Sequence, residues 1–369
     1  MERHQLHPHL CRCPGRGAVI GGSNRGLLRP RYLGGLAVLL LLLAGCQQTS
    51  TTTSSSTLGP KELPTSGPVA GAPGKLVYAN GVFLRTYTLS TAAIHQLAQF
   101  PSGSSPQVPT VSPDGKRIAF SLYHQGNDSN DPASGIDLWV MNVDGSGQRT
   151  VLLHQGAGDW LINGAWSPDG SYLYFTHQSP DVTRIERVRL DGSERKVVVE
   201  SGERPTVSRD GRWLAYLTDD PKTGSRVLAV APLTGGNART LLAGLGFKAI
   251  AAPVFAPDSS RLAFVGVGGP PQSAGSSTAC CSGPLAWLAP AVASAHGVPW
   301  DLWVVNIDGT GLRRLTDIRE DNPFPAWSPD GRWIALKGEI GLYLIDPEGK
   351  QVRRLAQELS SEGLSWLGS

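Results

Sequence analysis

A membrane-crossing helix is missing from this sequence: the apolar run from Leu33 to Ala44 covers about 12 residues, short of the ~20 such a helix needs. Cysteine is scarce, with Cys11, Cys13, Cys46, Cys280 and Cys281 in 369 residues, which excludes a disulfide-stapled framework. Cys280 and Cys281 are adjacent, so a bridge between them would be strained, and two unpaired or intermolecularly oxidised thiols account for them equally well. Two cysteines are also too few for a zinc site. No Gly-x-Ser-x-Gly elbow, phosphate loop or His-Glu-x-x-His pair occurs. Gly244-Leu245-Gly246 lacks the βαβ setting of a dinucleotide loop. No cofactor and no metal are expected.

Charge excludes a further class. Residues 1–45 carry six of the 33 basic residues and one of the 30 acidic ones. Beyond them 27 basic residues face 29 acidic ones, a formal charge of −2, and the basic character of the whole chain belongs to its first segment. A body this near neutral offers no electrostatic footprint for nucleic acid.

What is present begins with an address. Arg25, Arg29 and Arg31 precede the short apolar run, and Leu43-Ala44-Gly45 ends it. A basic flank, a short apolar core and small residues read as a secretory signal. The cysteine directly after them makes the segment resemble a bacterial lipoprotein signal, which implies cleavage before Cys46 and a lipid on its sulfur. The expected location is extracytoplasmic, held to the cell membrane through that lipid. Residues 46–74 are rich in Gln, Ser, Thr, Gly, Pro and Ala and read as a flexible tether. Residues 75–369 form the body.

The body repeats. Ser112-Pro113-Asp114-Gly115 recurs at 167–170 and 328–331, with degraded copies at 208–211 and 256–259. Proline pre-sets φ for such a turn, aspartate bonds nearby backbone, and glycine takes the positive φ that follows. An apolar strand follows each turn, as Ile118-Ala119-Phe120 and Leu262-Ala263-Phe264 show, and Asp-Gly at 144, 191 and 308 marks a later hairpin. Each repeat is therefore four short antiparallel strands, A to D, which is the pattern of a propeller blade. Leu76-Val77-Tyr78 and Val82-Phe83-Leu84 lack a preceding A strand, and Gly363-Leu364-Ser365-Trp366 is an A strand with nothing after it. The predicted fold is all-β: a six-bladed propeller of four-stranded antiparallel blades, closed by the C-terminal strand joining the first blade.

The Trp-Ser-Pro-Asp-Gly turn followed by Ile-Ala-Phe resembles the TolB-type propeller repeat, over essentially all of 75–369. Two departures stand out. The segment before the body cannot hold TolB's α/β domain, and no residues remain for the hydrolase domain of prolyl peptidases. The resemblance implies the fold and only weakly a partner.

Candidate sites follow from the repeat. The residues before each A strand, Val108, Asn163, Arg204, Ala252, Phe324 and Gly363, with Glu362 beside the last, are expected at the mouth of the central channel. They form no ring of histidines or carboxylates. The five histidines of the body, His95, His124, His154, His177 and His296, fall on different blades and read as surface residues. Asn127-Asp128-Ser129-Asn130-Asp131 reads as a polar loop rather than a calcium site. Tight turns occupy the A–B and C–D ends, so the long connections, 121–136, 154–163, 243–252, 267–299 and 316–324, share the opposite face, where binding tends to reside. Eight of the ten tryptophans have core-like positions. Trp160 and Trp287 do not, and with Leu285 and Leu288 of the insertion 267–299 they are the expected partner contacts. The favoured reading is a non-enzymatic module that binds a protein or envelope component; a small-molecule-binding, hydrolase or lyase propeller using the channel mouth is the alternative.

Overall fold

A computed structural model of the chain describes Val69 and residues 74–128, 130–271, 300–357 and 363–368, all within one compact unit. Cys46, Cys280, Cys281, Leu285, Trp287, Leu288 and Glu362 lie outside the described residues, as do the signal segment and nearly all of the tether and the insertion.

Short strands dominate because each turn is pinned by its own side chains. In the first Ser-Pro-Asp-Gly turn the Ser112 hydroxyl donates to Asp114 Oδ1 (2.5 Å) and accepts from Arg117 N–H (2.9 Å), while Lys116 N–H donates to the same carboxylate (3.1 Å). The arrangement recurs at Ser167/Asp169, Ser208/Asp210 and Ser328/Asp330. Asp169 and Asp330 are held down to about 2: hydrogen bonds from Ser167 and Ser171 lower the first, while for the second the bonds from Ser328 and Arg332 outweigh partial burial.

Strands β1 (Lys75–Asn80), β2 (Phe83–Thr88) and β3 (Ile94–Gln99) make the first sheet, and β24 (Leu364–Leu367) pairs antiparallel with β1 from the far end of the chain. There follow β4 (Ser104–Val111), β5 (Arg117–His124), β6 (Gly135–Asn142) and β7 (Arg149–Leu152), then β8 (Trp160–Trp166), β9 (Tyr172–Gln178), β10 (Thr183–Arg189) and β11 (Lys196–Val199). Three more sheets complete the molecule. They are β12 (Glu203–Val207) with β13 (Trp213–Asp219), β14 (Arg226–Pro232) and β15 (Arg239–Leu241); β16 (Phe247–Phe255) with β17 (Arg261–Gly268), β18 (Asp301–Asn306) and β19 (Arg313–Arg314); and β20 (Phe324–Trp327) with β21 (Ile334–Lys337), β22 (Leu342–Ile345) and β23 (Val352–Ala356).

The molecule is an all-β propeller of small antiparallel sheets. Where the sequence predicts six separate sheets, hydrogen bonding delineates five: four of four strands and one of eight. The eight-stranded sheet arises because Ile136 of β6 pairs in parallel with Trp160 of β8, tying β4–β7 to β8–β11. The inner strands touch in a closed cycle, β24 to β4, β8, β12, β16, β20 and back to β24.

The core is distributed between neighbouring four-strand units rather than gathered in one centre. Leu76, Tyr78 and Tyr87 meet Phe324, Leu344 and Trp366 where the last unit adjoins the first, and Leu228, Leu262, Phe264 and Trp303 fill a similar layer on the other side. Trp166, Trp327 and Trp366 occupy equivalent buried positions. Val69, which composition assigns to the tether, is buried in the first of these layers and donates its N–H to Leu89 O (2.9 Å).

Candidate functional site

Two features carry polar groups that could meet a ligand: the central channel and the long-loop face beside β6 and β8.

The channel is built by a repeated irregularity. Register breaks fall between Gln107 and Thr110 in β4, Ile162 and Ala165 in β8, Glu203 and Thr206 in β12, and Ala251 and Val254 in β16. Each break holds a residue in the left-handed region: Val108 (φ 45°), Asn163 (58°), Arg204 (53°) and Ala252 (47°), with Gly363 (97°) at the matching place before β24. Phe324 departs from this conformation. A left-handed non-glycine residue stores of order 1–3 kcal/mol, and a β-branched one such as Val108 is a marked outlier. The inner strands hold the bulges in place through cross-strand bonds: Val111 N–H to Ser365 Oγ (3.1 Å), Trp166 Nε1–H to Thr110 O (3.0 Å) and Arg204 N–H to Thr176 Oγ1 (2.8 Å).

From this ring to the Ser-Pro-Asp turns runs a cavity of about 600 Å³. Asn163, Arg204 and Phe324 line this cavity together with Val108 and Ala252, and the cavity lies on the turn side of the bulges. In every inner strand the lining starts at the bulge or just after it and extends toward the A–B turn, so the cavity opens among Pro113, Pro168, Pro257 and Pro329 instead of beneath the long loops. Proline is the commonest residue in the walls, and valine, alanine and tryptophan alternate there with serine, threonine, asparagine and arginine. Arg204 lies with its guanidinium 6.0 Å from the Phe324 ring centroid, reaching past Ala252 from one unit to the next but one. Burial deep in the ring pushes its pKa below the ordinary value, Glu203 pulling the other way, yet the channel itself keeps the residue half-buried.

The long-loop face shows what sequence reading missed. Asp137, 3% exposed, accepts from His124 Nε2 (2.9 Å), His154 Nδ1 (2.6 Å) and His154 N–H (2.8 Å), and the two imidazoles stack. Beside it His177 contacts Asp159 through Nε2 (2.8 Å) and Glu186 through Nδ1 (2.7 Å), and Arg184 and Arg195 close on Glu186. Burial alone would raise the Glu186 carboxyl, but bonds from Arg195, His177 and Arg184 override it and hold the group at about 2. Three histidines that read as scattered surface residues are therefore drawn into two adjoining networks, with the 153–159 loop between them. A usable signal existed: Asp-Leu-Trp occurs at 137–139 and again at 301–303, and Asp301 likewise anchors the chain after its D strand through Thr316 and Arg314.

Trp160, at the start of β8, is exposed (38%), and Leu153 in the loop before it is more so (59%). In the 127–131 loop, the Asp131 carboxylate accepts from Asn127 and Ala133, and Asp128 from Asn130, so these carboxylates serve their own backbone. Among the described residues no group of three or more His, Cys, Asp or Glu is placed to hold a metal.

No family model matches the chain. A curated relative, an uncharacterized protein of Agrobacterium fabrum, is 27% identical over 165 residues, covering 42% of this chain and 52% of that one. The chain thus spans about half the length of the relative it matches. Among solved structures, TolB from Acinetobacter baumannii is similar with a TM-score of 0.56 at 15% identity, over 80% of this chain and 67% of its own. A putative TolB from Agrobacterium tumefaciens gives 0.53 at 16% identity, over 79% and 92%. A chain of a nidogen/laminin complex gives 0.57 at 13%, over 79% and 98%. At these identities the likeness concerns the fold, and the fold is a TolB-like β-propeller.

Proposed function

We propose that this chain is an extracytoplasmic, lipid-anchored propeller of six blades that acts as a non-enzymatic recognition module for a protein or another envelope component. The blade count takes the eight-stranded sheet as two A-to-D units joined by the Ile136–Trp160 bridge. The observation that carries the recognition reading is the exposed pair Leu153 and Trp160 on the long-loop face, flanked by the two histidine–carboxylate networks. Interface hot spots are enriched in tryptophan, and loops on a rigid scaffold are where binding residues concentrate. Leu285, Trp287 and Leu288 of the insertion would extend that surface, and the nidogen/laminin chain is a fold-level precedent for such a propeller within a protein complex. The lipid on Cys46 would hold the module at the membrane, since Leu43-Ala44-Gly45-Cys46 has the form of a lipoprotein signal.

Cross-linked pull-down from native membranes tests this. Intact protein should capture a partner that Trp160→Ala and a 267–299 deletion each weaken, and Cys46→Ser should release the protein from the membrane fraction. Equal capture by all forms would remove the loop face from the reading.

A second reading is favoured by one observation, the 600 Å³ channel cavity: small-molecule binding there, with or without turnover.

A further inference from the structure

The channel is lined by two polar side chains from adjacent inner strands that no described residue hydrogen-bonds. Among the described residues, the Asn163 amide, in a residue 9% exposed, makes no hydrogen bond, and the Arg204 guanidinium makes neither a hydrogen bond nor an ion pair. The adjacent Glu203 carboxylate is taken by Arg226 at 2.8 Å. Asn163 and Arg204 hold equivalent bulge positions on adjacent inner strands, β8 and β12, and both line the cavity. Both side chains open onto the channel, where their donors can meet a ligand.

We propose that the channel binds a small monocarboxylate with an apolar body, its carboxylate held by Arg204 and Asn163. The proposal rests on the small-molecule reading above and names the ligand class. A guanidinium fork matches a carboxylate in bidentate fashion. The Asn163 amide supplies a further N–H donor beside it. Arg209 and Asp114 line the same cavity with opposite charges, so with Arg204 the wall carries one net positive charge, which favours a monoanion over a phosphate-like dianion. The body of the ligand would lie toward the turns, against Pro205, Pro253, Val254 and Trp327. A volume of about 600 Å³ suits a molecule of this size. The Phe324 ring centroid lies 6.0 Å from the guanidinium, within cation–π reach.

Calorimetric titration of the full protein with indole-3-acetate, hexanoate and the neutral indole-3-acetamide tests the assignment, together with a short apolar peptide carrying a free or an amidated C-terminus. The carboxylates should bind and the neutral amide should be weaker by about 10- to 100-fold, the loss expected for a hydrogen bond to a charged group. Arg204→Gln should lose the same factor. Asn163→Asp, which keeps a residue tolerant of the left-handed backbone and sets a competing anion beside Arg204, should abolish binding in a protein whose circular dichroism is unchanged. Binding of the free-C-terminus peptide alone would assign the carboxylate to a polypeptide source and support the same chemistry. Equal binding of acid and amide, unaffected by either substitution, would leave the channel reading standing and overturn the carboxylate. No binding of any probe at millimolar concentration would overturn both.

Discussion

Gly363 and Val108 meet backbone to backbone at the neck of the channel: a methyl group added to Gly363 would overlap the Cα and N of Val108, and both residues sit at positive φ. The strand that closes the molecule, β24, is therefore admitted beside β4 only because its first neighbour has no side chain. Gly363→Ala adds a left-handed backbone penalty of about 1–2 kcal/mol and an overlap penalty of about 1–3 kcal/mol. The expected result is a lower Tm, with hydrogen exchange quickening first at Leu76 and Tyr78, which pair with β24.

The turn hydroxyls should matter individually. Ser328 donates to Asp330 and accepts from Trp333 N–H, so Ser328→Ala removes two bonds from one turn. A loss of about 1 kcal/mol in urea titration is expected.

Acid should loosen the same turns. Asp169 and Asp330 have folded pKa values of about 2 against an ordinary 3.8, so their contribution is present above about pH 4 and is lost as pH falls through about 2. Glu186, also near 2 against 4.5, adds to the loss in that window. Thermal melts should be level between pH 7 and 5 as far as these groups are concerned and decline below pH 4. In Asp330→Asn that decline should be shallower.

Glu320 runs the other way. It is fully buried, its Oε1 has no hydrogen-bond partner, and burial raises its pKa above the usual value, while the Tyr343 hydroxyl and the Ile340 N–H pull it down. Its favourable protonated form is present at low pH and is lost as pH rises through the raised pKa. Glu320→Gln should therefore raise Tm at pH 8 and change it little at pH 4, as paired melts would reveal.

Trp160→Ala should separate binding from folding. The side chain is 38% exposed and its pairing with Ile136 is through backbone, so the loss of stability should stay at about 1–2 kcal/mol, below that of a core tryptophan. Partner capture should fall. A large drop in Tm instead would make Trp160 part of the core.

Much of the fold was legible because its signals are local. Ser112, Asp114 and Gly115 bond within five residues of one another, so the turn chemistry and the strand that follows can be read without knowing what packs against them. The pairing of β24 with β1 was legible too, since an A strand without followers and a B strand without a predecessor complete one another. The sites were less so. His124, Asp137 and His154 come together only because β5 and β6 pair in register and the chain returns after β7, and no local pattern reports that meeting beyond the repeated Asp-Leu-Trp.

By itself the sequence determined the strand repeat, the turn chemistry and the closing role of residues 363–366. Only the tertiary structure decided that the cavity lies on the turn side of the channel, that a parallel bridge at Ile136 and Trp160 joins two units into one sheet, and that Arg204 and Asn163 both line that cavity. Turn and strand preferences act over a few residues and survive in any context. Where a bulge aims a side chain, and what it meets there, depends on how whole sheets twist and pack against their neighbours.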